Sequence, residues 1–168
     1  MVRIGVTGHI RLQPRSRRAV YRELLRFLRP FPAVHGVTCL AEGADRIFAE
    51  AIHACHGTFE VILPVPVPAL PGAAEVAEDA ALILLLAQAS EVSRLSVPGP
   101  PEAAYEAASR EVLLRSDILI AVWDGDERGG RGGTAATVAY ARAQGKRVEV
   151  VWPRGARRAR APAGAPAH

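Results

Sequence analysis

Residues 117–123, Asp-Ile-Leu-Ile-Ala-Val-Trp, form an unbroken apolar run behind a single acid. A strand with one wet face alternates in polarity; a short run without alternation belongs to a strand covered on both faces. The chain must therefore build at least three layers, with a sheet in the middle. The rest of the sequence supplies the outer layers, because strand-like and helix-like segments alternate from end to end. Residues 2–6 alternate at period two and stop at Thr7-Gly8. Residues 14–29 follow with helical spacing of Val20, Leu24, Leu25 and Leu28, between Pro14 and Pro30. Strands are expected at 37–40, 59–63, 91–95 (a short edge strand), 117–123 and 147–152. Helices are expected at 44–56, 73–89, 101–115 and 134–144. The proline-rich stretch 64–71 reads as a stiff extended loop. Such alternation implies a mostly parallel sheet with helices on both faces, a single Rossmann-like α/β domain. Strand 117–123 should lie beside strand 2–6 with 147–152 outside it, and the second and third strands on the other side.

The length of 168 residues suits one domain, and 49% hydrophobic against 23% charged residues excludes a wholly disordered chain. The net charge of +4 suggests a nucleic-acid partner until the charges are placed. Four arginines, Arg154, Arg157, Arg158 and Arg160, follow Pro153 with no acid among them, so residues 1–153 are neutral overall. The domain is expected to end at residue 153, with 154–168 a basic, disordered tail. Cys39 and Cys55 form no disulfide framework or Cys-x-x-Cys pair, and no signal peptide is visible. A cytoplasmic location is expected. The longest apolar run, 80–87, is too short to span a bilayer and reads as a buried helix, so no membrane partner is expected.

In open parallel sheets ligands bind beyond the carboxyl ends of the strands, where strand order reverses. Three strand-to-helix loops carry suitable chemistry. Thr7-Gly8-His9-Ile10-Arg11 combines a tight turn with groups that suit an anion. In Leu40-Ala41-Glu42-Gly43-Ala44-Asp45-Arg46, Gly43 opens a helix, and Glu42 or Asp45 can accept from a ribose hydroxyl. An acid in a first helical turn is also an ordinary dipole partner. The third loop runs from Trp123 and Asp124 through Asp126, Glu127 and Arg128 into Gly129-Gly130-Arg131-Gly132-Gly133-Thr134. Four glycines in five residues cost conformational entropy. Amides at a helix N-terminus, the Thr134 hydroxyl and a nearby arginine form a phosphate cradle. The candidate ligand residues are therefore Thr7, Gly8, His9, Arg11, Glu42, Gly43, Asp45, Asp124, Gly130, Arg131, Gly132, Gly133 and Thr134.

Together, Gly5-Val6-Thr7-Gly8-His9, Leu40-Ala41-Glu42-Gly43-Ala44-Asp45-Arg46 and Gly132-Gly133-Thr134 resemble the SLOG superfamily, over nearly the whole chain to Trp152. That superfamily includes the Lonely Guy (LOG) phosphoribohydrolases, the Smf/DprA DNA-processing domain and small nucleotide-sensor proteins. The resemblance implies a nucleotide or nucleotide-derived ligand, such as a nucleoside phosphate or an ADP-ribose-like molecule, and a homodimer. It also offers two alternatives: a glycosidic-bond hydrolase of the phosphoribohydrolase type, and single-strand DNA binding of the Smf/DprA type. LOG hydrolases carry Pro-Gly-Gly-x-Gly-Thr-x-x-Glu with a catalytic Glu, and Thr137 falls on that position here. The same helix looks like that of nucleoside deoxyribosyltransferases, whose nucleophilic Glu also aligns with Thr137. A threonine cannot replace a carboxylate there. Glu42, Asp124, Asp126 or Glu127 could substitute, but no spacing demands it, so no catalytic residue is assigned.

The remaining motifs are weaker. His53, Cys55 and His56 lack further ligands at metal spacing, so no metal and no cofactor is expected. Arg15, Arg18, Arg22, Arg26 and Arg29 recur along one helix face, which is more often a solvated face than a nucleic-acid surface. The expected partner is thus a nucleotide-like small molecule, and nucleic acid is not expected.

Overall fold

The computed structural model describes residues 1–67, 79–128 and 133–159. The strands are β1 (Val2–Gly8), β2 (Val34–Thr38), β3 (Thr58–Val67), β4 (Glu91–Pro98), β5 (Ile118–Val122) and β6 (Arg147–Val150). The helices are α1 (Pro14–Leu28), α2 (Ala44–Ala54), α3 (Ala80–Gln88), α4 (Pro101–Leu114) and α5 (Thr134–Ala143). Every pairing is parallel, in the order β4-β3-β2-β1-β5-β6. The expected neighbours of β1 and β5 are the observed ones. All five residues of β5 and of β2 are buried.

Alternation within β1 divides its side chains between two cores. Ile4 and Val6 join Val20, Leu24 and Leu28 of α1 and Ile47, Phe48 and Ile52 of α2 in the larger core. Gly5 faces the other side, where a β-carbon would strike Val112 and Ser116 below α4. Val112 and Ala108 of α4 pack there with Val37 and Ile62, and Val138 of α5 packs with Ala121 and Trp123. Burial of these side chains, at about 25 cal/mol per Å² of apolar surface, is the main force holding the layers together.

Three expectations fail. Residues 64–67 are not loop but the end of β3, paired with Leu95 through Pro98 of β4. Pro64 and Pro66 share parity, so both lack a donor on the same side. β2 has already ended opposite Val61, so that side faces no strand. Residues 68–78, which hold the rest of the expected loop and the start of the expected third helix, lie outside the described residues. The apolar helix α3 is not wholly buried: Leu82 and Leu85 are buried and Leu86 packs partly against the core, while Ile83 and Leu84 are exposed. It packs against α2 and leaves its other face to solvent.

The third failure concerns the tail. Residues 154–159 are docked. Arg158 bridges Leu12 in an antiparallel pair, the Gln13 N–H donates to the Arg157 carbonyl at 3.1 Å, and the Ala159 N–H donates to the Arg11 carbonyl at 3.2 Å. The buried Ser16 hydroxyl accepts from the Arg157 N–H at 2.8 Å. Unpaired backbone groups of the β1–α1 loop thus find partners in this arm. Residues 160–168 lie outside the described residues.

Candidate functional site

Strand order reverses between β1 and β5, so their carboxyl ends flank the crevice. His9 follows β1 directly, and its N–H donates to the Val122 carbonyl at 3.1 Å. Gly8 is small because the two strands and α2 meet there. A β-carbon on it would lie 2.5 Å from Ala44 Cβ and 2.7 Å from Val122 Cβ. The glycine serves packing, and thereby sets where His9 begins. The neighbouring Thr7 is half-buried in β1, opposite Ala121. Arg11 is half-buried and contributes its carbonyl to the docked arm.

The imidazole of His9 stands between two partners. Its Nε2 lies 3.0 Å from Asp124 Oδ1, and its edge meets the Trp152 ring with centroids 5.4 Å apart. Burial lowers its pKa, and the Arg158 charge lowers it further, against the pull of Asp124 and Asp126. Asp124 in turn receives both arms of Arg158, Nε to Oδ2 and Nη2 to Oδ1, each at 2.7 Å. The Asp126 N–H donates to the same Oδ1 at 3.1 Å. Burial works against the Asp124 charge, but the bonds from Arg158, Asp126 and His9 outweigh it and hold the carboxyl well below the usual range. Asp126 has its own arginine, Arg128, through N–H and Nε at 3.0 and 2.9 Å. Trp123 is buried, and its Nε1–H donates to the Asp126 carbonyl at 3.0 Å. Its ring therefore packs the core and fixes the loop rather than facing a ligand.

The β2–α2 loop is built differently. Gly43 has φ +84°, and a β-carbon on it would run into the carbonyls of His9 and Ile10. This is a position only glycine fills without strain. The Ala44 N–H donates to the His9 carbonyl at 3.2 Å, tying the two loops together. Asp45 is turned inward: its Oδ2 accepts from Thr38 Oγ1 at 3.0 Å and from the Cys39 N–H at 3.1 Å. Burial pushes its pKa up to about 6, against the lowering effect of these bonds. Asp45 fastens the loop and does not present its carboxyl to the crevice. Glu42 beside it is exposed.

Helix α5 opens with Gly133 as its cap and Thr134 as its first residue, both half-buried, and no side chain caps its amides among the described residues. Gly130, Arg131 and Gly132 lie outside the described residues. Thr137 is buried and its Oγ1 donates to the Gly133 carbonyl at 3.2 Å, a bond internal to the helix. Among the described residues no three His, Cys, Asp or Glu side chains converge as metal ligands, and no helix is long and apolar enough to cross a membrane.

The structure thus joins His9 and Asp124 across the ends of β1 and β5, with Gly8 packed against Val122 and Gly43 against the His9 carbonyl. It adds two residues that the sequence did not point to. Trp152 follows β6 with no local motif. Arg158 sat among arginines assigned to a tail, and only tertiary docking distinguishes it from them.

No protein-family model matches the chain, and no curated protein matches it. Solved structures do. DNA processing protein A from Helicobacter pylori, described for its single-stranded DNA binding mode, aligns with a TM-score of 0.62 at 17% identity, over 92% of this chain and 66% of that one. DNA processing protein A (DprA) from Streptococcus pneumoniae aligns at 0.58 and 16% identity, over 89% and 50%. The molybdenum cofactor carrier protein of Chlamydomonas reinhardtii aligns at 0.51 and 17% identity, over 89% and 75%. The chain spans about half the length of the Streptococcus protein. These likenesses bear out, at the level of fold, the Rossmann-like domain of the SLOG resemblance. They also correct one expectation. Nucleic acid cannot be set aside as a partner, because the same fold occurs in DNA-processing proteins, one of them described as binding single-stranded DNA.

Proposed function

We propose that the chain binds a phosphate-bearing, nucleotide-like ligand in the crevice between β1 and β5. The observation that carries this is the meeting of His9 and Asp124 from the ends of the adjacent central strands, at the sheet edge from which the chain enters α5, whose amides no side chain caps among the described residues. The α5 amides and Thr134 suit the phosphate. His9 and the exposed Glu42 suit hydroxyl or base groups. The first turn of α5, Thr134 to Thr137, carries no acid, so nothing there favours glycosidic cleavage.

Calorimetric titration with AMP, GMP, ADP-ribose and adenosine tests this. At least one phosphorylated member should bind at one site per chain, and more tightly than adenosine. A folded protein that binds none of them contradicts the proposal.

A second reading has its own support. Arg15, Arg18, Arg22 and Arg29 are exposed along α1, and Arg154 and Arg157 are exposed on the arm beside it. A single-stranded DNA ligand on this surface would show affinity falling steeply with salt. A salt-insensitive or absent interaction with a labelled oligonucleotide removes it.

A further inference from the structure

Asp124 poses an electrostatic problem for any anionic ligand. It stands at the end of β5, at the mouth of the crevice, with its side chain 23% exposed. A bare carboxylate there would repel a phosphate approaching the α5 amides. The fold answers with arginines: Arg128, from the same loop, pairs with Asp126, and Arg158, from beyond the last strand, pairs with Asp124 and comes within 3.5 Å of Asp126. Arg158 reaches Asp124 because the arm is pinned on both sides of it. The Arg157 N–H is held by Ser16, and the Ala159 N–H by the Arg11 carbonyl. The guanidinium uses Nε and Nη2 on the carboxylate, and Nη1 takes no part in these contacts. Its side chain is 39% exposed, so the guanidinium is not sealed from solvent.

We propose that Arg158 is a residue of the ligand site: docked by the C-terminal arm, it neutralises Asp124 and donates to the anionic group of the ligand. This rests on the ligand reading above. It assigns the arm a part in binding and identifies the ligand's anion, rather than its base, as what the arm reads. The ligand class is a phosphate monoester or diphosphate. An uncharged nucleoside should be indifferent to Arg158.

The test uses the full chain, with AMP and adenosine as probes. Arg158→Ala should weaken AMP binding by about tenfold or more, the usual weight of a charge-assisted pair. It should leave adenosine binding unchanged. Arg158→Lys should recover part of the loss, since it keeps the charge without the two-pronged geometry. Arg94→Ala, exposed on the edge strand β4 and outside either proposed surface, should bind AMP as the wild type does. An Arg158→Ala protein that binds AMP as tightly as the wild type, or more tightly, overturns the proposal. A wild type that binds neither probe defeats the ligand reading itself, and is told apart by that.

A second readout needs no ligand. The charged groups acting on His9 are Asp124, Asp126 and Arg158. Removing Arg158 takes a positive charge away from His9 while Asp124 stays beside it, so the His9 titration followed by NMR should move to higher pH in Arg158→Ala. An unmoved His9 means that Arg158 does not dock on Asp124, and the proposal falls whatever the ligand.

Discussion

Two aspartates stand at the carboxyl edge of the same sheet, and the fold uses them in opposite ways. Asp45, in the β2–α2 loop, is sealed against Thr38 and Cys39, and burial raises its pKa to about 6. Asp124, after β5, is open to the crevice and held ionised by Arg158, Asp126 and His9. The difference lies in the partners. Asp45 is bound by its own loop within seven residues, whereas Asp124 is bound by residues 115 and 34 positions away. A locally satisfied acid makes a rigid loop. An acid satisfied across the fold ties distant segments of the chain together at one point.

The comparison breaks most readily at Asp45. Asp45→Ala leaves a buried hydroxyl and a buried amide without their acceptor, and should cost about 3 kcal/mol of stability in urea unfolding. Asp45→Asn keeps one acceptor oxygen and should cost less. Asp124→Ala should cost at most about 1 kcal/mol, because its partner Arg158 remains accessible to water. Equal stability losses at the two positions would erase the contrast. Gly43→Ala comes next, at about 2 kcal/mol, from the positive φ and the crowding by the His9 and Ile10 carbonyls.

The pH dependence sharpens the contrast further, with a smaller effect. The Asp45 pKa is raised on folding from about 3.9, so its contribution to stability is fully present below about pH 4 and is lost as pH rises to about 6. The Asp124 pKa is lowered on folding, so its contribution is present above about pH 4 and is lost as pH falls. Chemical denaturation from pH 3 to 7 should therefore show the Asp45→Asn variant gaining relative to the wild type as pH rises through 4 to 6. Asp124→Asn should lose relative to the wild type over the rise through pH 4. The same pH profile for both variants would contradict the assignment.

Much of this was legible in the sequence because it depends on local pattern. The apolar run of β5, the helical spacing of α1 and the glycine at the start of α2 are short-range signals. They placed the sheet and three of its loops, and with them His9, Gly43 and Asp124. What escaped depends on direction and docking. The sequence puts Asp45 in a first helical turn but does not say that its carboxyl folds back onto Cys39. Prolines at 64 and 66 read as loop until an open side of β3 is known to exist. The run at 80–87 reads as buried until α3 is seen to leave Ile83 and Leu84 exposed. Arg158 carries no local mark at all: Arg154 and Arg157 look the same in sequence, and only the docking of its guanidinium on Asp124 sets Arg158 apart.

The most direct measurement is a crystal structure of the full chain grown with AMP. The account predicts phosphate density within hydrogen-bonding distance of the Thr134 amide and hydroxyl, flanked by His9 and the Arg158 guanidinium. AMP seated elsewhere, such as the groove between α1 and β6 lined by Phe27 and Trp152, or an empty crevice at saturating AMP, would contradict it.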